Sequence, residues 1–178
     1  MQNYFTFYDI PESFLPDEGQ IKQKYYAFSR QYHPDFHANE IPEKQSEILA
    51  LSTLNTNAYR TLSHPDGRMQ YILQQHHLLE EGKNNELPND FLMEMMDLNE
   101  ELMEQEFDYD AAAFEKVSLE VAGFAAALDA DILPTLQQYP QLEGFTRDEA
   151  LQQVKTYYLK KKYLLRIQES LSKFASRS

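Results

Sequence analysis

Apolar residues recur at helical spacing along most of the chain, and no segment alternates apolar with polar positions as a half-buried strand would. Ile21, Tyr25, Phe28 and Tyr32 lie three and four residues apart and predict one buried stripe. At about 100° per residue, Lys22, Tyr26 and Arg30 form a second row on a different face of that helix. A second helix is predicted over 42–62. Pro42 suits its first turn, and Ile48, Leu51, Leu54, Ala58 and Leu62 supply its buried side. Between the two stands His33-Pro34-Asp35. Proline has no amide hydrogen and pushes the preceding His33 out of the right-handed helical region, so the tripeptide is expected to be a non-helical, rigid bend. That bend would display an imidazole and a carboxylate outside two packed helices.

The pattern restarts after a second His-Pro-Asp at His64-Pro65-Asp66, read as a helix stop with Asp66 as N-cap. Met69, Ile72 and Leu73 continue as a connecting helix, and Gly82-Lys83-Asn84-Asn85 with Pro88 reads as a loop. Three long helices are predicted beyond it. The first, over 89–106, is capped by Asn89 or Asp90, and the second, over 109–139, by Asp108, with Pro134 as an internal break or kink. Pro140 and Gly144 mark a turn, and a Thr146/Glu149 capping box opens the third, which runs to about 174. Leu151, Val154, Tyr158, Leu165 and Leu171 are its candidate core positions. Short connections between three such helices make a bundle, so the fold class is all-α, with a helical hairpin followed by a three-helix bundle.

The first bundle helix has more apolar residues than one face can use. Phe91, Met95, Leu98 and Leu102 fall in one narrow arc and suffice to seat it. Leu92, Met93 and Met96 fall on another side, which they share with Asp97, Glu100 and Glu104. A wider core with Leu92 and Met96 at its edge accounts for this in one way. A docking surface accounts for it in another, because methionine is over-used where a surface adapts to a partner.

Charge sharpens that choice. The chain carries a formal net charge of −13, and the stretch 80–110 holds 12 acids against Lys83 alone. A solvated helix face would explain such acidity, and so would a partner with basic groups. A chain of this balance offers no groove to neutralise phosphates, so nucleic acid is not an expected partner. There is no cysteine, which removes disulfides, thiolate zinc sites and cysteine-held clusters. His76 and His77 stand four residues before Glu80 and Glu81, but two ligands on one exposed helix are weak grounds for a metal site, and solvated side chains fit better. The start of the chain is neither basic nor followed by an apolar run, and nothing approaches the roughly 20 apolar residues of a membrane span. The expectation is a cytoplasmic protein with no membrane partner, no cofactor and no metal.

Two antiparallel helices joined by an exposed His-Pro-Asp bend, with a basic outer row on the first, resemble a J-domain. Tyr4-Phe5 and Phe7-Tyr8 stand where such domains have a short first helix. Leu54-Asn55, Ala58-Tyr59 and Leu62-Ser63 are similar to the end of the third, and Pro65, Arg68 and Tyr71 to the closing turn. A J-domain over 1–75, a linker over 76–88 and a three-helix client-binding domain over 89–178 resemble the HscB-type co-chaperones of iron–sulfur cluster assembly. The run Phe91-Leu92-Met93-Glu94, with Leu98 and Glu100-Glu101-Leu102, is similar to that family's scaffold-binding segment.

The resemblance implies that Leu92, Met93, Met96, Asp97, Glu100 and Glu104, with Tyr163 from the last helix, hold an iron–sulfur cluster scaffold protein of IscU type. It also implies that His33, Pro34 and Asp35, with Lys22, Lys24, Tyr26 and Arg30, engage a DnaK/HscA-type ATPase chaperone and stimulate its ATP hydrolysis. The family pattern is departed from where Tyr26, Ala27 and Phe36 replace frequent basic residues, and where a lineage-specific cysteine motif has no counterpart. A J-protein delivering a different client is the competing reading. An enzyme is disfavoured, since no nucleophile constellation, glycine-rich phosphate loop or metal set stands in the sequence.

Overall fold

A computed structural model of the chain describes residues 3–79 and 86–175, the side chains of residues 106, 174 and 175 excepted. Every regular element among the described residues is helical, and the chain divides into two compact units, Met1–His76 and His77–Ser178.

The first unit holds α1 (Tyr4–Tyr8), α2 (Glu18–Gln31), α3 (Pro42–Leu62) and α4 (Pro65–Gln75). Asn3 caps α1 by accepting from Phe5 N and Thr6 N, and Asp9 ends it in the left-handed region at φ 52°. Asp17 caps α2 through Gln20 N, and Pro42 opens α3 at a position where its missing amide costs nothing. Ile21, Ile48, Ala58 and Leu62 are buried, while Tyr25, Phe28, Tyr32, Leu51 and Leu54 are partly so. The aromatic stripe anticipated on α2 therefore packs: Phe28 meets Phe7 and Tyr8 with ring centroids 5.0 and 5.8 Å apart, and Tyr25 stacks on Tyr59 at 4.2 Å.

Two buried polar residues lock this unit. Asn55 on α3 donates from Nδ2 to Tyr25 O and Ser29 Oγ on α2, each at 3.1 Å. The Tyr8 hydroxyl of α1 donates toward Asn55 O and Oδ1, at 3.0 and 2.9 Å. One amide thus ties three helices. Arg68, 2% exposed, donates from Nε to Phe14 O and from Nη1 to Leu62 O. Burial lowers its pKa, and its guanidinium remains charged at neutral pH. Tyr71 accepts from Tyr4 N and stacks on its ring at 4.6 Å, so the Arg and aromatic after Pro65 close the unit over α1.

The second unit is α5 (Asn89–Phe107), α6 (Ala111–Gln138) and α7 (Gly144–Ala175), with a 3₁₀ turn at Tyr139–Gln141. Phe91, Met95, Leu98, Val117, Val121, Leu164, Ile167 and Leu171 form its core. The chain runs helically through Pro134 to Gln138, so that proline does not end α6.

The expected helix starts need correction. Pro88, not Asn89 or Asp90, stands at the N-cap of α5, and Asp110, not Asp108, caps α6 by accepting from Ala112 N and Ala113 N. The second His-Pro-Asp places His64 at the N-cap and Asp66 in the first turn of α4. The Thr146/Glu149 box does not open α7: that helix starts at Gly144, whose φ of +52° suits glycine, and the Thr146 hydroxyl donates to Glu143 O. Leu165 is 39% exposed, and Leu164 and Ile167 take the core places instead. The anticipated His/Glu pairs and the loop at 82–85 fall on residues 80–85, outside those described. His76 itself hydrogen-bonds Glu12 at 2.8 Å.

Candidate functional site

The bend between α2 and α3 is more ordered than a simple break. His33 is extended (φ −71°, ψ 124°), as the following proline requires, but Pro34–His37 then make one 3₁₀ turn, which corrects the expectation of a wholly non-helical bend. His33 Nδ1 accepts from Asp35 N at 3.3 Å, so the neutral ring carries its proton on Nε2. The ring also lies 5.3 Å from that of Phe36. His37 Nε2 donates to Gln31 O at 2.9 Å, and Gln45 Nε2 donates to Ala38 O and Glu40 O, each at 2.9 Å. The loop is thereby tied to the end of α2 and the start of α3. The His33 and Asp35 side chains remain 50% and 86% exposed, 3.8 Å apart between Nδ1 and Oδ2.

Lys22, Tyr26 and Arg30 lie along the exposed side of α2, with Tyr26 56% exposed. Lys24 does not join them. It sits about 200° around the helix from Lys22, is half-buried, and reaches Asp9 at 3.8 Å. The structure therefore brings together Lys22, Tyr26 and Arg30 on one face, with Lys24 apart from them.

On α5, adjacent methionines part company. Phe91, Met95 and Leu98 are 3%, 0% and 3% exposed, whereas Met93 and Met96 are 68% and 67% exposed. Leu92 is half-buried, and Asp97, Glu100 and Glu104 are all exposed. Tyr163 on α7 is half-buried. Its ring meets Phe91 edge-on at 5.9 Å, and its hydroxyl accepts from Asn99 Nδ2 at 3.0 Å. Asn99 also donates to Met95 O, so one amide on α5 ties the tyrosine of α7 to that helix. The wider-core reading put Leu92 and Met96 at the edge of the core; it fails for Met96, which is exposed, while Leu92 is half-buried. Sequence reasoning passed over Met103 and Phe107, 60% and 88% exposed farther along α5, although their spacing from Met96 was there to be read.

An enzymatic reading meets one constellation that looks suggestive and is not. Ser63 Oγ lies 3.1 Å from His64 Nδ1, with Asp66 two residues on. However, Ser63 donates its proton to Tyr59 O at 2.6 Å, so the imidazole donates to the serine oxygen, the reverse of what a general base does. Among the described residues no group of histidines and carboxylates is placed to hold a metal ion. No helix among them is long and apolar enough to cross a membrane.

Residues 87–172 match the family model described as the HSCB C-terminal oligomerisation domain. The "Co-chaperone protein HscB homolog" of Neisseria meningitidis is 29% identical over 122 residues, 68% of this chain and 74% of that one. The "Co-chaperone protein HscB" of Proteus mirabilis is 32% identical over 61% of this chain and 64% of its own length. The human "Iron-sulfur cluster co-chaperone protein HscB" is 33% identical over 59% of this chain, and the match spans 45% of that protein. The crystal structure of human HscB superposes with a TM-score of 0.68 and 25% identity over 97% of this chain and 81% of the human one. HscB from Vibrio cholerae has the same fold, with a TM-score of 0.57 over 96% of this chain. Buried and exposed stripes on α5, the helical hairpin with its bend, and a structural match over nearly the whole chain agree: the chain resembles the HscB co-chaperones, and residues 87–172 match that family's C-terminal domain.

Proposed function

We propose that this chain is a co-chaperone of iron–sulfur cluster assembly that joins a scaffold protein of IscU type to an ATPase chaperone of the DnaK/HscA type. The observation that carries the proposal is the division of α5, where one apolar stripe seats the helix and a second, bearing Met93 and Met96, stays in solvent beside Asp97, Glu100 and Glu104. Exposed apolar side chains contribute nothing to the fold of the monomer and contribute affinity once a partner covers them. Leu92, half-buried, and Tyr163, held by Asn99, would complete the surface.

At the other end, the His33-Pro34-Asp35 corner and the Lys22, Tyr26 and Arg30 row would meet the ATPase chaperone. Pro34 and the bonds of His37 and Gln45 hold the corner in shape, so little ordering is lost on contact. The cations on α2 would steer encounter more than they hold the complex, and Lys24, turned toward Asp9, would contribute least of the basic residues. ATP hydrolysis would belong to the partner.

Calorimetric titration with the scaffold protein of the same organism tests the client end. Leu92→Ala and Met96→Ala should each weaken binding about ten-fold while leaving the helical signal and melting intact. Phe91→Ala should instead unfold the second unit, since it removes a core side chain. An absence of binding by the wild-type protein at high concentration would contradict the proposal.

A further inference from the structure

The exposed apolar row on α5 does not stop where the proposed client surface stops. Met103 and Phe107 lie seven and eleven residues beyond Met96. At about 100° per residue they return to within about 20° of its direction, one on either side. They are 60% and 88% exposed, against 67% for Met96. From Leu92 to Phe107 the row spans about 22 Å, at about 1.5 Å per residue. Acids accompany it along one side: Asp97, Glu100 and Glu104 sit about 40° to 100° around from Met96, and all are exposed. Along the other side lies Asn99, whose bond to Tyr163 ties that flank to α7.

We infer that Met103 and Phe107 are client-contacting residues, and that the docking surface is a single strip along the whole of α5 rather than a spot at its start. The inference rests on the function proposed above and extends it. The partner surface it fits is an apolar ridge or groove of similar length with basic residues along one edge. A second copy of this chain is the wrong occupant, because two such strips would set acid against acid, within a segment holding 12 acids and one base over residues 80–110. Neither Met103 nor Phe107 is among the buried residues of the bundle, so neither is committed to the fold. Phe107 has the larger apolar area to cover, and an aromatic side chain at the end of the strip would fix how far along α5 the client sits.

Titration of the full-length protein with the same scaffold protein tests this, using Met103→Ala, Phe107→Ala and, as a control, Leu119→Ala. Leu119 on α6 is as exposed as Met96, at 67%, but lies off the strip. The expected result is about ten-fold weaker binding for Phe107→Ala, a smaller loss for Met103→Ala and no change for Leu119→Ala, with unaltered melting curves throughout. If the wild-type protein binds and Leu92→Ala weakens it while Met103→Ala and Phe107→Ala match wild type, the strip ends near Glu100. The inference is then overturned and the proposed function stands. If the wild-type protein does not bind the scaffold at all, both fall together. Sedimentation of the free protein as a dimer that Phe107→Ala dissociates would assign the strip to a second copy and overturn the inference.

Discussion

Met95 and Met96 are neighbours in the chain, yet one is 0% exposed and the other 67%. A helix turns about 100° between them, which is enough to carry a side chain from the centre of the bundle to its surface. The same chemistry therefore has two consequences. Met95→Ala should open a cavity among Phe91, Leu98 and Leu164 and cost about 3 kcal/mol, read as a fall in the denaturant midpoint at constant slope. Met96→Ala should shift stability by no more than about 0.5 kcal/mol and act on client binding instead. Equal destabilisation by the two would mean that Met96 belongs to the core. A comparable contrast separates Lys22 from Lys24, which composition treats as equivalent and which geometry sends to different faces of α2.

The elements are held by a few polar ties inside aromatic packing. Burial pushes the Tyr8 hydroxyl well above the ordinary tyrosine value, with Tyr25 and Tyr59 adding to the effect, and its proton is given to Asn55. Since the folded state holds that proton more tightly, its contribution is fully present below about pH 10, where the unfolded side chain begins to ionise. It is lost as pH rises above that value toward the folded pKa. Tyr8→Phe should cost about 1 kcal/mol at neutral pH and make the alkaline loss of stability shallower, as followed by denaturant titrations from pH 8 to 11. An unchanged alkaline slope would rule out Tyr8 as a source of it. The helices α2 and α3 were legible in the sequence because proline, aromatic spacing and helix period agree there. The starts of α5, α6 and α7 were not: α5 turns helical at Asn89 itself and leaves Pro88 at the N-cap, while at α6 two aspartates stood two residues apart and the backbone selected the second. At α7 a left-handed Gly144 began the helix before Thr146 could cap it. Leu165 was misplaced for a different reason. The later part of α7 packs in the same core as α5, so its buried side is set by Leu164, Ile167 and Leu171 rather than by one stripe continued from Leu151. Asn55 was seen only as a motif residue, since nothing in a pattern of apolar spacing marks a polar side chain that will find three partners.

Across the molecule, the proposed function is divided between two compact units. The first carries an exposed corner braced by backbone acceptors; the second carries an acidic, methionine-bearing helix face. In the proposed function neither end supplies a reacting group, and the two ends would act together on one partner's ATPase. Tyr163 was reached only through the family resemblance, whereas the candidate residues on α5 were legible as apolar and acidic types at helical spacing. Their exposure was not, because only packing against α6 and α7 decides which of two apolar stripes is covered. The most direct test is the steady-state ATPase rate of the cognate DnaK-type chaperone, titrated with scaffold protein in the presence of wild-type, His33→Gln or Met96→Ala protein. The wild type should stimulate hydrolysis at low scaffold concentration. Met96→Ala should require about ten times more scaffold to reach the same rate. His33→Gln should give no stimulation at any concentration while binding scaffold normally. Stimulation by His33→Gln equal to that by wild type would contradict the account.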